Sequence, residues 1–157
     1  MTRVLSGQEI AAQLHQAFPE AVVESKGDSV WVTPEALGQV ARHLKETKGL
    51  EFDFLTGVSG VDYLDYFEVV YHLTSISNNH MTVLKTRCYD RENPAVPSVV
   101  GLWQGADLQE REIYDLMGIR FEGHPNMKRV MLWEGFQGHP LRKDFFERPN
   151  PAVEASP

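Results

Sequence analysis

Cysteine is nearly absent from these 157 residues; Cys88 stands alone. One cysteine excludes an internal disulfide, a CxxC redox pair and any cysteine-rich zinc or iron–sulfur site held by this chain by itself. Cys88 lies in the strand-like stretch KTRCY and reads as a small core residue. Long apolar runs are missing too: nothing approaches the ~20 residues needed to cross a bilayer. The N-terminal MTRVLSGQEIAAQLHQAF has neither a continuous apolar segment nor a small-residue cleavage site, so no signal peptide and a cytoplasmic location are expected. Neither GxGxxG nor a phosphate-binding P-loop occurs, so no nucleotide cradle is expected. Basic excess is also lacking. The formal net charge of −7 disfavours free nucleic-acid binding, which needs a positive footprint.

What is present suits one domain with a substantial core. Ser6 followed by Glu9 forms a capping-box pattern, and Ile10, Leu14, Ala17 and Phe18 follow at helical spacing until Pro19. Ala21–Glu24 and Ser29–Thr33 read as strands joined at Lys26-Gly27-Asp28. A second helix is expected from Thr33 and Pro34 onward, with Leu37, Val40, Ala41 and Leu44 on one face and Gly49 as its stop. The period then becomes two. Phe52, Phe54 and Val58 alternate, a turn is expected near Gly60–Asp62, and Phe67, Val69, Tyr71 and Leu73 alternate with Tyr66, Glu68, His72 and Thr74. Ser77-Asn78-Asn79 reads as a hairpin connection into a strand over Met81–Tyr89. Asp90–Pro97 reads as a loop, Ser98–Trp103 as a further strand, and Asp107–Met117 as a third helix ending at Gly118. The expected fold is a two-layer α+β domain over residues 1–119, its helices packed on a mostly antiparallel mixed sheet. An irregular arm over 120–149 and a frayed tail over 150–157 follow.

The third helix carries an odd carboxylate. Ala106, Glu110, Ile113, Tyr114 and Met117 share a stripe, so Glu110 points along an apolar seam. A buried carboxylate needs a hydrogen bond or a cation. Arg129 or Arg142 from the arm would serve; alternatively, Glu110 completes a capping arrangement with Asp107. Arg111, Glu112 and Asp115 fall mostly on another stripe, where Arg111 and Asp115 have the spacing to pair. Glu112 and Asp115 could suggest a divalent metal, but no ExxH or HExxH accompanies them.

The arm repeats one tripeptide, Gly123-His124-Pro125 and Gly138-His139-Pro140, the one internal repeat in the chain. Proline restricts the residue before it and glycine permits unusual backbone shapes, so each histidine sits on a stiff bend. Metal ligation and acid–base chemistry are both conceivable for a histidine pair, yet no helical register fixes their separation. Rigid bends whose imidazoles bond a carbonyl, an acid or a partner fit the pattern better. Between Gly123 and Pro149 five bases, Lys128, Arg129, Arg142, Lys143 and Arg148, face three acids, Glu134, Asp144 and Glu147. That basic balance inside an acidic protein suits either a solvated loop or a face for an acidic partner.

The stretch GADLQEREIYDLMGIRFEGHPNMKRVMLWEGFQGHPLRKDF closely resembles the signature region of the thirty-kilodalton, or C, subunit of proton-translocating NADH–quinone oxidoreductase, respiratory complex I. The upstream FLTGVSGVDY is similar to the family as well. The resemblance implies a hydrophilic subunit of the peripheral arm on the cytoplasmic face of the membrane, touching the membrane only through the complex. Such a subunit holds no cofactor and has no active site of its own; NADH, FMN, iron–sulfur clusters and quinone belong to partner subunits. Its implied partners are the forty-nine-kilodalton, or D, quinone-site subunit and a neighbouring iron–sulfur subunit. The implied interface comprises Glu110, Arg111, Glu112, Asp115, His124, Pro125, Arg129, His139, Pro140, Arg142, Lys143 and Asp144. The same subunit type occurs with other electron donors, in ferredoxin-linked complexes, F420H2 dehydrogenases and membrane-bound hydrogenases. Longer family members continue past RKDFFERPNP, so functions tied to an extended tail are not expected here. A stand-alone enzyme using His124 or His139 with Glu110 is the competing class.

Overall fold

The computed structural model describes residues 1–146. Glu147, Arg148, the end of the expected arm and the expected tail over 150–157 lie outside the described residues. The elements run β1 (Arg3–Val4), α1 (Gly7–Ala17), β2 (Val22–Lys26), β3 (Ser29–Val32), a short 3-10 turn (Pro34–Ala36), α2 (Leu37–Glu46), β4 (Phe54–Asp62), β5 (Phe67–Ser75), β6 (His80–Cys88), β7 (Ala95–Pro97), α3 (Ala106–Met117) and β8 (Arg120–Glu122). The main sheet has the order β2-β3-β6-β5-β4, with β1 also beside β6. β3 and β1 run parallel to β6, whereas the other pairings are antiparallel. The three helices cover one face, which makes the expected two-layer α+β domain.

Local signals explain most of the elements. The Ser6 hydroxyl accepts the Glu9 N–H at 3.1 Å and the Glu9 carboxylate accepts the Ser6 N–H at 2.8 Å, the reciprocal capping box that starts α1. Ile10 and Leu14 of α1 and Leu37, Val40, Ala41 and Leu44 of α2 are buried. They meet Val30 and Val32 of β3, Phe67, Val69, Tyr71 and Leu73 of β5 and Leu84 of β6. Thr33 makes no side-chain cap, and α2 ends at Glu46, before Gly49. Chain direction there reverses in the turn Thr47–Leu50, with Gly49 at φ +90°.

Three expectations about strands fail for physical reasons. Gly60–Asp62 is not a turn; it is the end of β4, and the chain reverses at Tyr63–Tyr66. Glycine is needed at position 60 because α3 lies against it: a Cβ there would meet Met117 Sδ at 2.8 Å and Ile113 Cγ2 at 2.9 Å. Phe54 and Val58 do not share a face, because the register shifts between Leu55 and Gly57. One extra residue exchanges the two faces, so Leu55 and Val58 point inward while Phe54 is exposed. The N–H of Val58 is taken by Gln109 Oε1 of α3 at 2.8 Å, which ties the helix to this outer strand. Finally, Ser98–Trp103 is a turn and not a strand. The strand lies just before it, where β7 pairs in parallel with β8.

Candidate functional site

The arm leaves α3 at Gly118, whose φ of +77° closes the helix in the left-handed region. It then folds back along α3 from one end to the other, and four groups of contacts hold it there.

At the start of α3, Glu110 is fully enclosed. The Ser98 hydroxyl donates to Glu110 Oε2 at 2.6 Å and the Val99 N–H to Oε1 at 2.8 Å. Neither Arg129 nor Arg142 reaches it, and it caps nothing: the N-cap is Gly105, without a side-chain bond. The expected cationic partner and the expected capping role are therefore both replaced by the 98–99 turn. Burial pushes the Glu110 carboxyl above its ordinary range, opposed by the Ser98 and Val99 bonds. Beside this carboxyl, the imidazole of His124 is enclosed. Its Nδ1 accepts the Asn126 N–H at 2.9 Å, which leaves Nε2 protonated to donate to the Asp107 carbonyl at 3.1 Å.

In the second half of the helix, the stripe of Arg111, Glu112 and Asp115 divides. Asp115 is fully buried. Its Oδ2 accepts three consecutive backbone N–H groups, Val130 at 3.1 Å, Met131 at 2.7 Å and Leu132 at 2.9 Å, and Oδ1 accepts Arg129 at 2.9 Å. This is an anion nest whose anion comes from the helix. The expected Arg111–Asp115 pair is absent: Arg111 donates instead to the carbonyls of Lys128 and Arg129, each at 3.1 Å. Burial alone would raise the Asp115 carboxyl, but the Leu132, Met131 and Val130 donors and then Arg129 outweigh it and hold it low.

At the end of α3, His139 Nδ1 donates to the Asp115 carbonyl at 2.9 Å, and the Leu141 N–H donates to the Leu116 carbonyl at 2.8 Å. These carbonyls belong to the last turn and have no partner within the helix. The imidazole lies so close to Gly118 that a Cβ there would stand 2.7 Å from its Cδ2. The two histidines thus serve opposite ends of α3, separated by about 12 Å of helix rise between Asp107 and Asp115. They are not brought together as a ligand pair or an acid and a base. Among the described residues no three His, Cys, Asp or Glu side chains converge as a metal-binding group.

Beyond α3, Arg91 grips Asp62 with two bonds, at 2.7 and 3.0 Å. Asp62 also accepts the N–H of Lys143 at 2.9 Å. Arg142 holds Asp144 at 2.8 and 2.9 Å, and Asp144 in turn reaches Arg91 at 3.2 Å. The Arg91 guanidinium holds the Asp62 carboxyl down at about 2, against the effect of burial. Arg142 first, and then Arg91, hold Asp144 well below the usual carboxylate range. Asp62 and Arg91 carry no local signal in the sequence; tertiary structure alone joins residues 29 apart.

Of the residues expected at an interface, Glu110 and Asp115 are enclosed by this chain and lie on no surface. Arg111, His124, Arg129, His139 and Arg142 are partly covered and bonded internally. Glu112, Pro125, Lys143 and Asp144 are exposed and Pro140 is half-buried. The arm also leaves large apolar side chains outside: Val130, Met131, Trp133, Leu141 and Phe146 are exposed, with Trp133 at 68% and Phe146 at 84%. Trp133 packs edge-on against Phe136 (4.8 Å), and Phe136 stacks on Phe145 (6.2 Å). The run Met131-Leu132-Trp133 inside a polar segment was the readable sign of this surface.

A two-layer α+β domain with a clamped strap that leaves large apolar side chains outside is built as a component of a larger assembly. The family model described as respiratory-chain NADH dehydrogenase, 30 Kd subunit, matches residues 30–150. The NADH-quinone oxidoreductase C subunit of Roseiflexus sp. (strain RS-1) is 46% identical over 147 residues, covering 89% of this chain and 84% of that one. The NADH-quinone oxidoreductase C 2 subunit of Rhizobium meliloti is 49% identical over 117 residues, 73% of this chain and 63% of that one. Among solved structures, a chain of the membrane-bound sulfane sulfur reductase, an archaeal respiratory membrane complex, superposes with a TM-score of 0.68 at 27% identity. That match covers 89% of this chain and 85% of the other. The chain belongs to the family of the 30-kilodalton, or C, subunit of respiratory NADH–quinone oxidoreductase, and so to the subunits of hetero-oligomeric respiratory membrane complexes. No helix among the described residues is long and apolar enough to cross a membrane.

Proposed function

We propose that this chain is a cofactor-free, non-catalytic subunit of the peripheral arm of a proton-translocating NADH–quinone oxidoreductase. It supports the quinone-site D subunit, beside an iron–sulfur subunit, on the cytoplasmic face of the membrane. NADH, FMN, the iron–sulfur clusters and quinone are held by partners. The observation that carries the reading is the arm itself: its backbone is fixed by bonds along the whole of α3, yet its free side presents Met131, Trp133, Leu141 and Phe146 to water. Apolar side chains on a rigid strap lose little entropy on docking, which favours association. Among the expected interface residues, Glu112, Pro125, Lys143 and Asp144 are available for direct contact. Asp115, Arg129, His124, His139 and Arg142 act by fixing the arm's shape, with Arg111 and Pro140 at its margin, while Glu110 anchors the 98–99 turn to α3.

The test is a Met131→Asp, Trp133→Asp double variant expressed in place of the native chain. Its thermal melt as a free chain should match wild type, while solubilised membranes should yield complex lacking this subunit and with reduced NADH–quinone activity. Normal assembly of the variant would refute the docking role. The electron donor is read by other subunits, and the sulfane sulfur reductase match favours keeping relatives with other donors as a second reading. NADH-dependent against ferredoxin-dependent quinone reduction by the purified complex separates the two.

A further inference from the structure

The turn between β4 and β5 holds an apolar residue in water at a conformational cost. Leu64 has φ +72°, a region that favours glycine, and the residue is 58% exposed. The fold enforces this shape. Asp62 Oδ1 accepts the Leu64 N–H at 2.8 Å, and the Tyr63 N–H reaches the Tyr66 carbonyl at 3.0 Å. Around Leu64 lies a tyrosine cluster: Tyr63 and Tyr66 have ring centroids 5.1 Å apart, Tyr66 and Tyr89 5.3 Å apart, and Tyr89 is 66% exposed. Tyr89 continues the surface into a groove of about 480 Å³ walled by Trp31 and Pro34.

The rim of this surface is acidic. Asp65, Asp90 and Glu92 are exposed and have no cationic partner among the described residues. The nearby cation Arg87 lies over Tyr66 at 5.2 Å, but its charge is paired with Glu24 and Glu68. Tyrosines and an exposed leucine suit protein contact, being apolar in body and polar at the tip. Carboxylates brought into such a contact need opposing cations, because desolvating an unpaired charge is costly.

We propose that the Tyr63–Leu64–Tyr66–Tyr89 surface is a second interface of the subunit. Its occupant is a segment of a neighbouring subunit that sets an apolar side chain against Leu64 and lysine or arginine against Asp65, Asp90 and Glu92. The inference rests on the chain's membership of a multi-subunit complex and goes beyond the arm reading, on which it does not depend.

The experiment places a benzophenone amino acid at position 64 in the intact membrane complex, with a second preparation carrying it at position 133. The expected product at position 64 is a cross-link to another subunit, mapped by mass spectrometry to a peptide with Lys or Arg beside the attachment point. A cross-link to lipid, to a second copy of this chain or to a segment without basic residues, or no cross-link, overturns the proposal. Leu64→Gly keeps folding separate from binding. Glycine is at home at this φ, so the full chain should melt at or above the wild-type temperature, while subunit recovered in the complex falls roughly tenfold. Unchanged recovery would also overturn the proposal. If position 64 cross-links while the Met131 and Trp133 double variant assembles normally, the arm reading fails and this one stands. The opposite pair of results overturns this one and leaves the arm reading standing.

Discussion

The two halves of α3 each bury one carboxylate completely and treat it in opposite ways. Glu110, in the first half, receives a hydroxyl and a single N–H, and burial pushes its carboxyl above the ordinary range. Asp115, in the second half, receives three N–H groups and a guanidinium, and its charged form is favoured. The difference follows from what the chain brings to each place. A tight turn at 98–99 can offer only local neutral donors. A strap arriving near the negative end of a helix can offer a row of N–H groups and a cation, which also suits the helix dipole. Burial therefore does not fix the character of a carboxylate; the number and charge of its donors do.

The sharpest way to break the comparison is to remove each acid in turn. Asp115→Ala leaves three N–H groups without an acceptor, takes from Arg129 its carboxylate partner and should cost about 3 kcal/mol or more, with fast amide exchange at Val130–Leu132. Chemical denaturation and hydrogen exchange measure the two effects. Asp62→Asn comes next. A carboxyl moved from 3.8 to about 2 supplies about 2 kcal/mol at neutral pH. Because its folded value lies below its unfolded one, that stability is present above about pH 4 and is lost as pH falls toward 2. The variant should show a shallower acid limb in stability against pH.

Glu110 has the opposite sign. Its folded value is raised above the ordinary 4.5, so its contribution is full below that pH and declines as pH rises through the folded value. Glu110→Gln keeps the Val99 bond through its amide oxygen and reverses the Ser98 bond, the amide N–H donating to the hydroxyl; it should flatten that decline at a cost under about 1 kcal/mol, whereas Asp115→Asn should cost more. If the two amide variants prove equal by denaturation, the contrast between the two sites is wrong. A similarly small effect belongs to Arg111→Ala, which removes two bonds from a partly exposed guanidinium to arm carbonyls and should cost about 0.5–1 kcal/mol in the same assay.

Much of the layer architecture was readable. The capping box at Ser6 and Glu9, Ile10 and Leu14 on the buried face of α1, the face of α2, the stop at Gly118 and the buried Phe67, Val69, Tyr71 and Leu73 of β5 are short-range patterns that appear in the structure, although Ala17 is exposed and Glu68 is buried. The failures have a common cause. The register shift at Leu55–Gly57, the extension of β4 through Gly60–Asp62 and the turn at Ser98–Trp103 each depend on where α3 and the partner strand lie. The burial of Asp115 was not legible because a helical wheel knows only its own helix, and the strap that covers it begins beyond the helix's end. Likewise, Arg111 stood one turn from Asp115, but the arm's carbonyls and N–H groups supplied closer partners for each.

By itself, then, the sequence determined the three helices and most of the strands, the family, the stiffness of the two Gly-His-Pro bends and the unusual placement of Glu110 on an apolar stripe. These rest on periodicity, on cap and turn chemistry and on a long ordered motif, all legible without knowing what touches what. Tertiary structure decided which charges met. It gave Glu110 the Ser98 turn, gave Asp115 the nest of Val130–Leu132 with Arg129, and set His124 and His139 at opposite ends of α3. It also closed the Asp62–Arg91 clamp and left Leu64 and Trp133 facing outward. Pairings of this kind join segments from 11 to 81 residues apart, and the hydrogen bonds that select them exist only once the segments lie against one another in the folded chain.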